Sequence, residues 1–239
     1  MPFAPIVELQ ERIRRAVLTG RGAETLLLLE HHPVITLGRS AATTHVLAAA
    51  PELARRGVTV HRASRGGDVT FHGPGQLVGY PVVRLDGGVV AHMRAMAEGL
   101  CSVLARRGIH AVWRRDAPGL WVSTATGDAK LCSFGVNVHR RVAIHGFALN
   151  VTVDLAAFGM IVPCGLPDVE MTSMDRLARL GVASSAPPPG GLADLAGEVA
   201  AALSRSFRRD FVNVQPDELA GGDPETRAEL EEHLPRAGA

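Results

Sequence analysis

Residues 130–150 read Lys-Leu-Cys-Ser-Phe-Gly-Val-Asn-Val-His-Arg-Arg-Val-Ala-Ile-His-Gly-Phe-Ala-Leu-Asn. Both halves favour extended backbone, and His139-Arg140-Arg141 supplies a short polar joint. The pattern predicts strands over 130–138 and 142–151 joined as a hairpin, which is an antiparallel pair. Further short strands are expected at 25–30, 34–37, 58–60, 69–72, 76–83 and 120–122. Helices are expected over 5–18, where Ile6, Leu9, Ile13 and Val17 share a face, and over 51–57, 92–107 and 192–207. Another is capped by Thr172 or Ser173 and stops at Gly181. Strands and helices do not alternate strictly. The expected class is therefore α+β (mixed α/β), a mixed, largely antiparallel sheet flanked by helices, rather than a doubly wound parallel sheet.

The chain has 239 residues, 46% of them hydrophobic and 21% charged, with a formal net charge of +1. That composition suits a globular protein able to bury its own core. We expect one domain over 1–212, with its core at about 22–212, a Pro/Gly linker at 184–191, and an acidic tail at 213–239 that is mobile or a short helix from Asp223. No stretch of about 18 apolar residues exists to span a membrane, and the N-terminus lacks a secretory pattern. Near-neutral charge and 4% aromatic residues argue against a nucleic-acid partner. Three cysteines without metal-type spacing, Cys101, Cys132 and Cys164, fit a reducing, cytoplasmic setting.

Three places could carry chemistry. All but one of the 25 Lys and Arg residues are arginine, and the exception is Lys130. An amine can exchange its proton where a guanidinium cannot. Strict alternation puts Lys130 on one strand face with Cys132, Phe134 and Val136. Its ammonium then either reaches water at an edge or is buried. Cys164 stands between Pro163 and Gly165, off any regular element, where a bend can present a thiol. A cation beside it would favour the nucleophilic thiolate, and Lys130 is an available one. The third place is 65–76, Arg-Gly-Gly-Asp-Val-Thr-Phe-His-Gly-Pro-Gly-Gln. Its glycines allow close backbone approach, Arg65 adds a fixed charge, and His72 ends a strand at a bend. Gly135 and Gly146 interrupt the hairpin strands, and His145 alone reads as a core histidine.

Together these segments resemble the lipoyl(octanoyl) transferases. The resemblance is carried by Leu27-Leu28-Leu29-Glu30-His31, Pro33-Val34 and Leu37-Gly38-Arg39. It continues through Arg65-Gly66-Gly67, Val69 to Leu77, Lys130, Gly135-Val136, His145 to Asn150, Asp154-Leu155, Phe158 and Ile161 to Gly165. It covers roughly residues 25–176. The departures are Ile35, where an aromatic is frequent, a loosely matching N-terminal helix, and the region after Ser184.

The resemblance implies a single-domain biotin/lipoate protein ligase-like fold. It implies an acyltransferase that moves an octanoyl group from octanoyl-acyl carrier protein to a lysine of lipoyl domains, the first step of endogenous protein lipoylation. Those domains belong to 2-oxoacid dehydrogenase complexes and the glycine cleavage H protein. Cys164 would carry the acyl thioester, and Lys130 would lower its pKa and handle protons. Substrate contacts would fall on Arg65, Gly66, Gly67, Asp68, Val69, Thr70, Phe71 and His72, on Ser133, Phe134 and Gly135, and on Gly146, Phe147 and Ala148. Phe71, Phe134 and Phe147 are the expected walls of an acyl tunnel. Neither ATP nor metal would be needed, since the donor is already a thioester. Carriers of this kind are acidic, so Arg65, Arg140 and Arg141 are candidates for a docking rim. A monomer is expected. The rival readings are an ATP-dependent lipoate or biotin ligase of the same fold, and a non-catalytic acyl- or lipoyl-domain-binding protein.

Overall fold

The computed structural model describes residues 1–165, 169–183 and 191–211, with the backbone alone at Cys164. The chain runs α1 (Phe3–Leu18), β1 (Thr25–Leu29), β2 (Val34–Leu37), α2 (Ala50–Arg55), β3 (Thr59–Arg62), β4 (Val69–His72) and β5 (Gln76–Val82). It continues with α3 (Val89–Ala105), β6 (Val112–Arg114), β7 (Gly119–Thr124), β8 (Gly127–His139), β9 (Val142–Asn150), β10 (Glu170–Met171), α4 (Met174–Arg179) and α5 (Gly191–Phe207). Among the described residues no helix is long and apolar enough to cross a membrane. The expected linker at 184–191 and tail at 213–239 lie outside the described residues, apart from Gly191, which begins α5.

The expected hairpin is the centre of the larger sheet. β8 and β9 pair antiparallel from Cys132–Leu149 to His139–Val142. Arg140 and Arg141 both take positive φ, 46° and 68°. Left-handed conformation at both central residues matches a two-residue turn to the strand twist. The strand order is β1-β5-β9-β8-β7-β6, all antiparallel, and β10 adds to β8 in parallel. A second sheet, β3-β2-β4, pairs β2 with β3 in parallel and with β4 antiparallel.

Alternation decides which helices cover which face. Leu77, Phe147 and Leu149 point into the main core with Leu100, Leu104, Leu177, Val199 and Leu203 of α3, α4 and α5. Their neighbours Val78, Tyr80 and Ala148 point the other way, against Ile6 and Leu9 of α1. The small sheet has its own core of Ile35, Val69, Phe71, Phe158 and Ile161. Ser173 caps α4, its side chain accepting from Arg176 N–H at 3.2 Å.

Strict alternation fails at one place in β8. Leu120 pairs with Cys132 but Trp121 pairs with Lys130, so Leu131 is an extra residue in the ladder. Leu131 and Cys132 then both enter the main core. Lys130 and Ser133, on either side of them, line a cavity instead. The expectation that Lys130 and Cys132 share a face is corrected by this bulge.

Candidate active site

The two sheets meet where the loop before β4 touches β8. Gly66 N–H donates to the Val136 carbonyl at 2.9 Å. The approach is close enough that a Cβ on Gly135 would lie 3.1 Å from Arg65 Cδ and 3.2 Å from the Gly66 carbonyl oxygen. Along this seam opens a cavity of about 330 Å³. Its walls come from residues 65–70 and His72, from Ser133–Val136 of β8 and from His145–Ala148 of β9. Phe3 of α1, Met93 of α3, Tyr80 and the 116–118 turn complete it, with Lys130 in the lining.

Lys130 is 1% exposed and ranks among the largest fully buried side chains. This settles the alternatives left by the sequence: the ammonium does not reach water at a sheet edge. Its Nζ lies 5.3 Å from the centroid of the Trp121 ring. The Lys130 backbone is pinned by β10, with Thr172 N–H donating to the Lys130 carbonyl at 3.0 Å.

A chain of side-chain hydrogen bonds runs from the cavity toward that same point. His72 Nδ1–H donates to Gln76 Oε1 at 2.7 Å, and Gln76 Nε2 donates to Asn150 Oδ1 at 2.9 Å. Asn150 Nδ2 then donates to the Thr172 carbonyl at 2.9 Å. Each group can play its role only if the amides are oriented this way. Burial is the main reason the His72 pKa falls to about 4, with Arg65 lowering it further against a raising contribution from Gln76. His31 falls to about 3, chiefly by burial and then through His72. His145 falls to about 3 by burial and then through Arg65. All three are neutral imidazoles near pH 7. His31 Nε2 accepts from the Tyr80 hydroxyl at 2.7 Å, and His145 Nε2 pairs with Ser64 Oγ at 3.1 Å. His145 also holds φ at 59°, an unusual backbone for a strand residue, while its N–H donates to Gln10 Oε1 at 2.7 Å.

Most of the residues singled out from sequence therefore surround one cavity: Lys130, Arg65–Thr70, His72, Ser133–Gly135 and Gly146–Ala148. Two roles change. Phe71 does not line the cavity. It alternates with Thr70 and His72, so its ring turns into the small-sheet core, 5.8 Å from Phe158. Arg65 is 9% exposed, and its Nη2 donates to the Thr36 carbonyl at 2.6 Å and to Thr36 Oγ1 at 2.8 Å. A guanidinium spent on the β2 backbone belongs to the cavity wall and not to a docking rim. Arg140 and Arg141 are exposed, and Arg141 Nη2 donates to the Leu85 carbonyl at 2.7 Å.

Cys164 lies in the one-turn segment Pro163–Gly165. Its side chain is outside the described residues, so the cysteine–lysine pair is placed only on the lysine side. The segment packs beside the cavity wall: a Cβ on Gly165 would lie 2.6 Å from Asp68 Oδ2. Phe3, Met93, Tyr80 and the 116–118 turn were not found by sequence reasoning. Period two on β5 could have marked Tyr80. Phe3 and Met93 reach the cavity only through tertiary packing.

The architecture defines the class first. A bi-partite lipoate protein ligase from Thermoplasma acidophilum superposes with a TM-score of 0.63, covering 95% of this chain and 88% of that one at 14% identity. Lipoate-protein ligase A bound with ATP gives 0.67 over 94% and 87%, also at 14% identity. These likenesses establish the fold.

Sequence then narrows the class. The model for the lipoyl protein ligase A/B catalytic domain matches residues 4–185, and the chain belongs to that family. Among its curated relatives, the Octanoyltransferase of Chloroflexus aggregans is 42% identical over 210 residues, 86% of this chain and 90% of that one. The Octanoyltransferase of Solibacter usitatus is 41% identical over 212 residues, 87% and 88%.

Proposed function

We propose that this protein is an octanoyltransferase acting in the cytoplasm. It takes an octanoyl group from octanoyl-acyl carrier protein and delivers it to a lysine of a lipoyl domain. Cys164 carries the acyl group in between, and neither nucleotide nor metal takes part. The observation that supports this most directly is Lys130, buried in the wall of a largely apolar cavity in a chain similar to octanoyltransferases.

The chemistry balances with two protein groups. The Cys164 thiolate attacks the donor carbonyl, a new C–S bond forms, and the carrier thiolate leaves with a proton from the Lys130 ammonium. Lys130 is then neutral. The target amine attacks the acyl-enzyme, loses its proton to Lys130, and expels the Cys164 thiolate. Thioester exchange is nearly balanced, and amide formation drives the second half. Phe134, Phe147 and Met93 supply apolar wall for the chain. Each methylene removed from water contributes about 0.8 kcal/mol, so cavity length can select chain length.

The deciding experiment is mass spectrometry after mixing the protein with octanoyl-acyl carrier protein and no nucleotide. An octanoyl adduct mapped to Cys164 and discharged by a lipoyl domain is the expected result. An absolute requirement for ATP would instead indicate a ligase. Binding without any adduct would indicate a non-catalytic protein.

A further inference from the structure

Three stretches of chain meet at a point the mechanism above does not use. Asp68 belongs to the 65–70 wall of the cavity, and both its carboxylate oxygens lie 2.9 Å from His45 Nδ1. Oδ1 also accepts Val69 N–H at 2.7 Å, which fixes the carboxylate. Their side chains are 13% and 30% exposed. His45 closes the turn Thr43–His45, and its carbonyl accepts Val162 N–H at 2.8 Å. Val46 bridges Ile161, and Leu47 N–H donates to the Met160 carbonyl at 2.8 Å. The ribbon after His45 is thus stitched to the residues that lead directly into Pro163–Gly165. Gly165, at φ 68°, rests on the pair: a Cβ there would lie 2.6 Å from Asp68 Oδ2 and 3.3 Å from His45 Cε1.

We propose that Asp68 and His45 are positioning residues that hold the Cys164 turn against the cavity wall. The inference rests on Cys164 being the acyl carrier. A charge-assisted contact between imidazole and carboxylate is short and directional. Here it joins the 65–68 loop to the ribbon that delivers the cysteine. Loss of the carboxylate leaves that ribbon's own hydrogen bonds in place but removes the surface on which Gly165 sits. The expected effect is a displaced nucleophile in an otherwise folded enzyme, and misplacement by about 1 Å costs roughly a hundredfold in rate.

The test uses full-length Asp68→Ala, Asp68→Asn and His45→Asn, with two readouts. The first is steady-state octanoyl transfer. The second is the iodoacetamide alkylation rate of Cys164, mapped by peptide, which needs no acyl donor. Asp68→Ala is expected to lower kcat by about 10- to 100-fold, to leave KM for octanoyl-acyl carrier protein within about twofold, and to change the alkylation rate by at least about threefold. Asp68→Asn and His45→Asn, which keep a hydrogen bond between the two positions, should recover most of both. Unchanged kcat and alkylation in folded Asp68→Ala would overturn the proposal. So would losses that follow the melting temperature and are not recovered by Asn. If Asp68→Ala does not fold, His45→Ala breaks the pair from its other side: the same losses support the proposal, and wild-type behaviour refutes it. Wild-type protein that alkylates normally but never acquires octanoate would sink the acyl-transfer reading alone, while the alkylation arm still reports on the pair.

Discussion

The ammonium of Lys130 lies over the indole of Trp121, with Nζ 5.3 Å from the ring centroid. Trp121 is itself fixed, its Nε1–H donating to the Ala117 carbonyl at 3.0 Å. The indole thus links the lysine to the 116–118 turn that closes the cavity. Such a contact is worth about 2 kcal/mol when desolvated, and it holds the amine at one place.

Substituting the lysine tests whether the amine or merely its charge matters. A Cβ at Gly119 would lie 2.7 Å from Lys130 Cε, so the β7 backbone closes on the lysine stem. Lys130→Arg and Lys130→Met should each lower octanoyl transfer by at least about a hundredfold. Lys130→Met should keep the fold, since it fills similar volume without a charge. Steady-state rates beside thermal melts check this. Wild-type turnover in Lys130→Arg would remove the lysine from the mechanism.

The cysteines should separate cleanly. Cys164→Ala is expected to abolish both adduct and transfer. Cys132 is buried in the main core, and burial pushes its thiol pKa well up, so it is a poor nucleophile. Cys132→Ala should retain most of the activity and lose about 1 kcal/mol of stability. An octanoyl adduct found on Cys132 by peptide mapping would contradict this.

Acid should weaken the fold in a defined window. His31, His72 and His145 have folded-state values of about 3, 4 and 3, below the ordinary 6.5. Between those values and 6.5 the unfolded chain binds more protons, so stability rises with pH there. The unfolding free energy from urea titration should be level above about pH 7 and fall steadily toward pH 4, by up to about 3 kcal/mol for each imidazole that stays neutral in the fold. Glu198, lowered to about 2 by Arg107 and Arg106, adds a further loss only below its ordinary 4.5. An unfolding free energy unchanged from pH 7 to pH 5 would show that the imidazoles are charged or exposed.

The polar chain His72–Gln76–Asn150–Thr172 is a further point of attack. Gln76→Leu removes the middle of it and strands two buried groups. Leaving such partners unpaired costs about 1–3 kcal/mol each. We expect a loss of about 2–4 kcal/mol by urea denaturation, and a change under about 0.5 kcal/mol would mean that water replaces the amide.

The hairpin was legible because period-two patterning and a two-residue joint are local signals. The gathering of 65–70, His72, Lys130, 133–135 and 146–148 around one cavity followed from the resemblance and not from spacing. What stayed hidden is non-local. The bulge at Leu131 depends on β7, whose register sequence spacing does not fix, and it moved Lys130 off the face shared with Cys132. Phe3 reaches the cavity only because α1 packs across β5 and β9. Phe71 sits within the run expected at the cavity, although its alternation with Thr70 and His72 turns it into the small-sheet core. Arg65 read as a surface cation, since nothing in its own segment announces Thr36.

The seam between the sheets has one last implication. The turn bearing Cys164 leans on Asp68, at the head of the small sheet, whereas Lys130 grows from the large one. The proposed nucleophile and proton carrier therefore belong to separate slabs, and their spacing is inherited from how those slabs abut. A substitution far from either, if it lets one slab slide, would detune the reaction while leaving every reacting atom chemically intact.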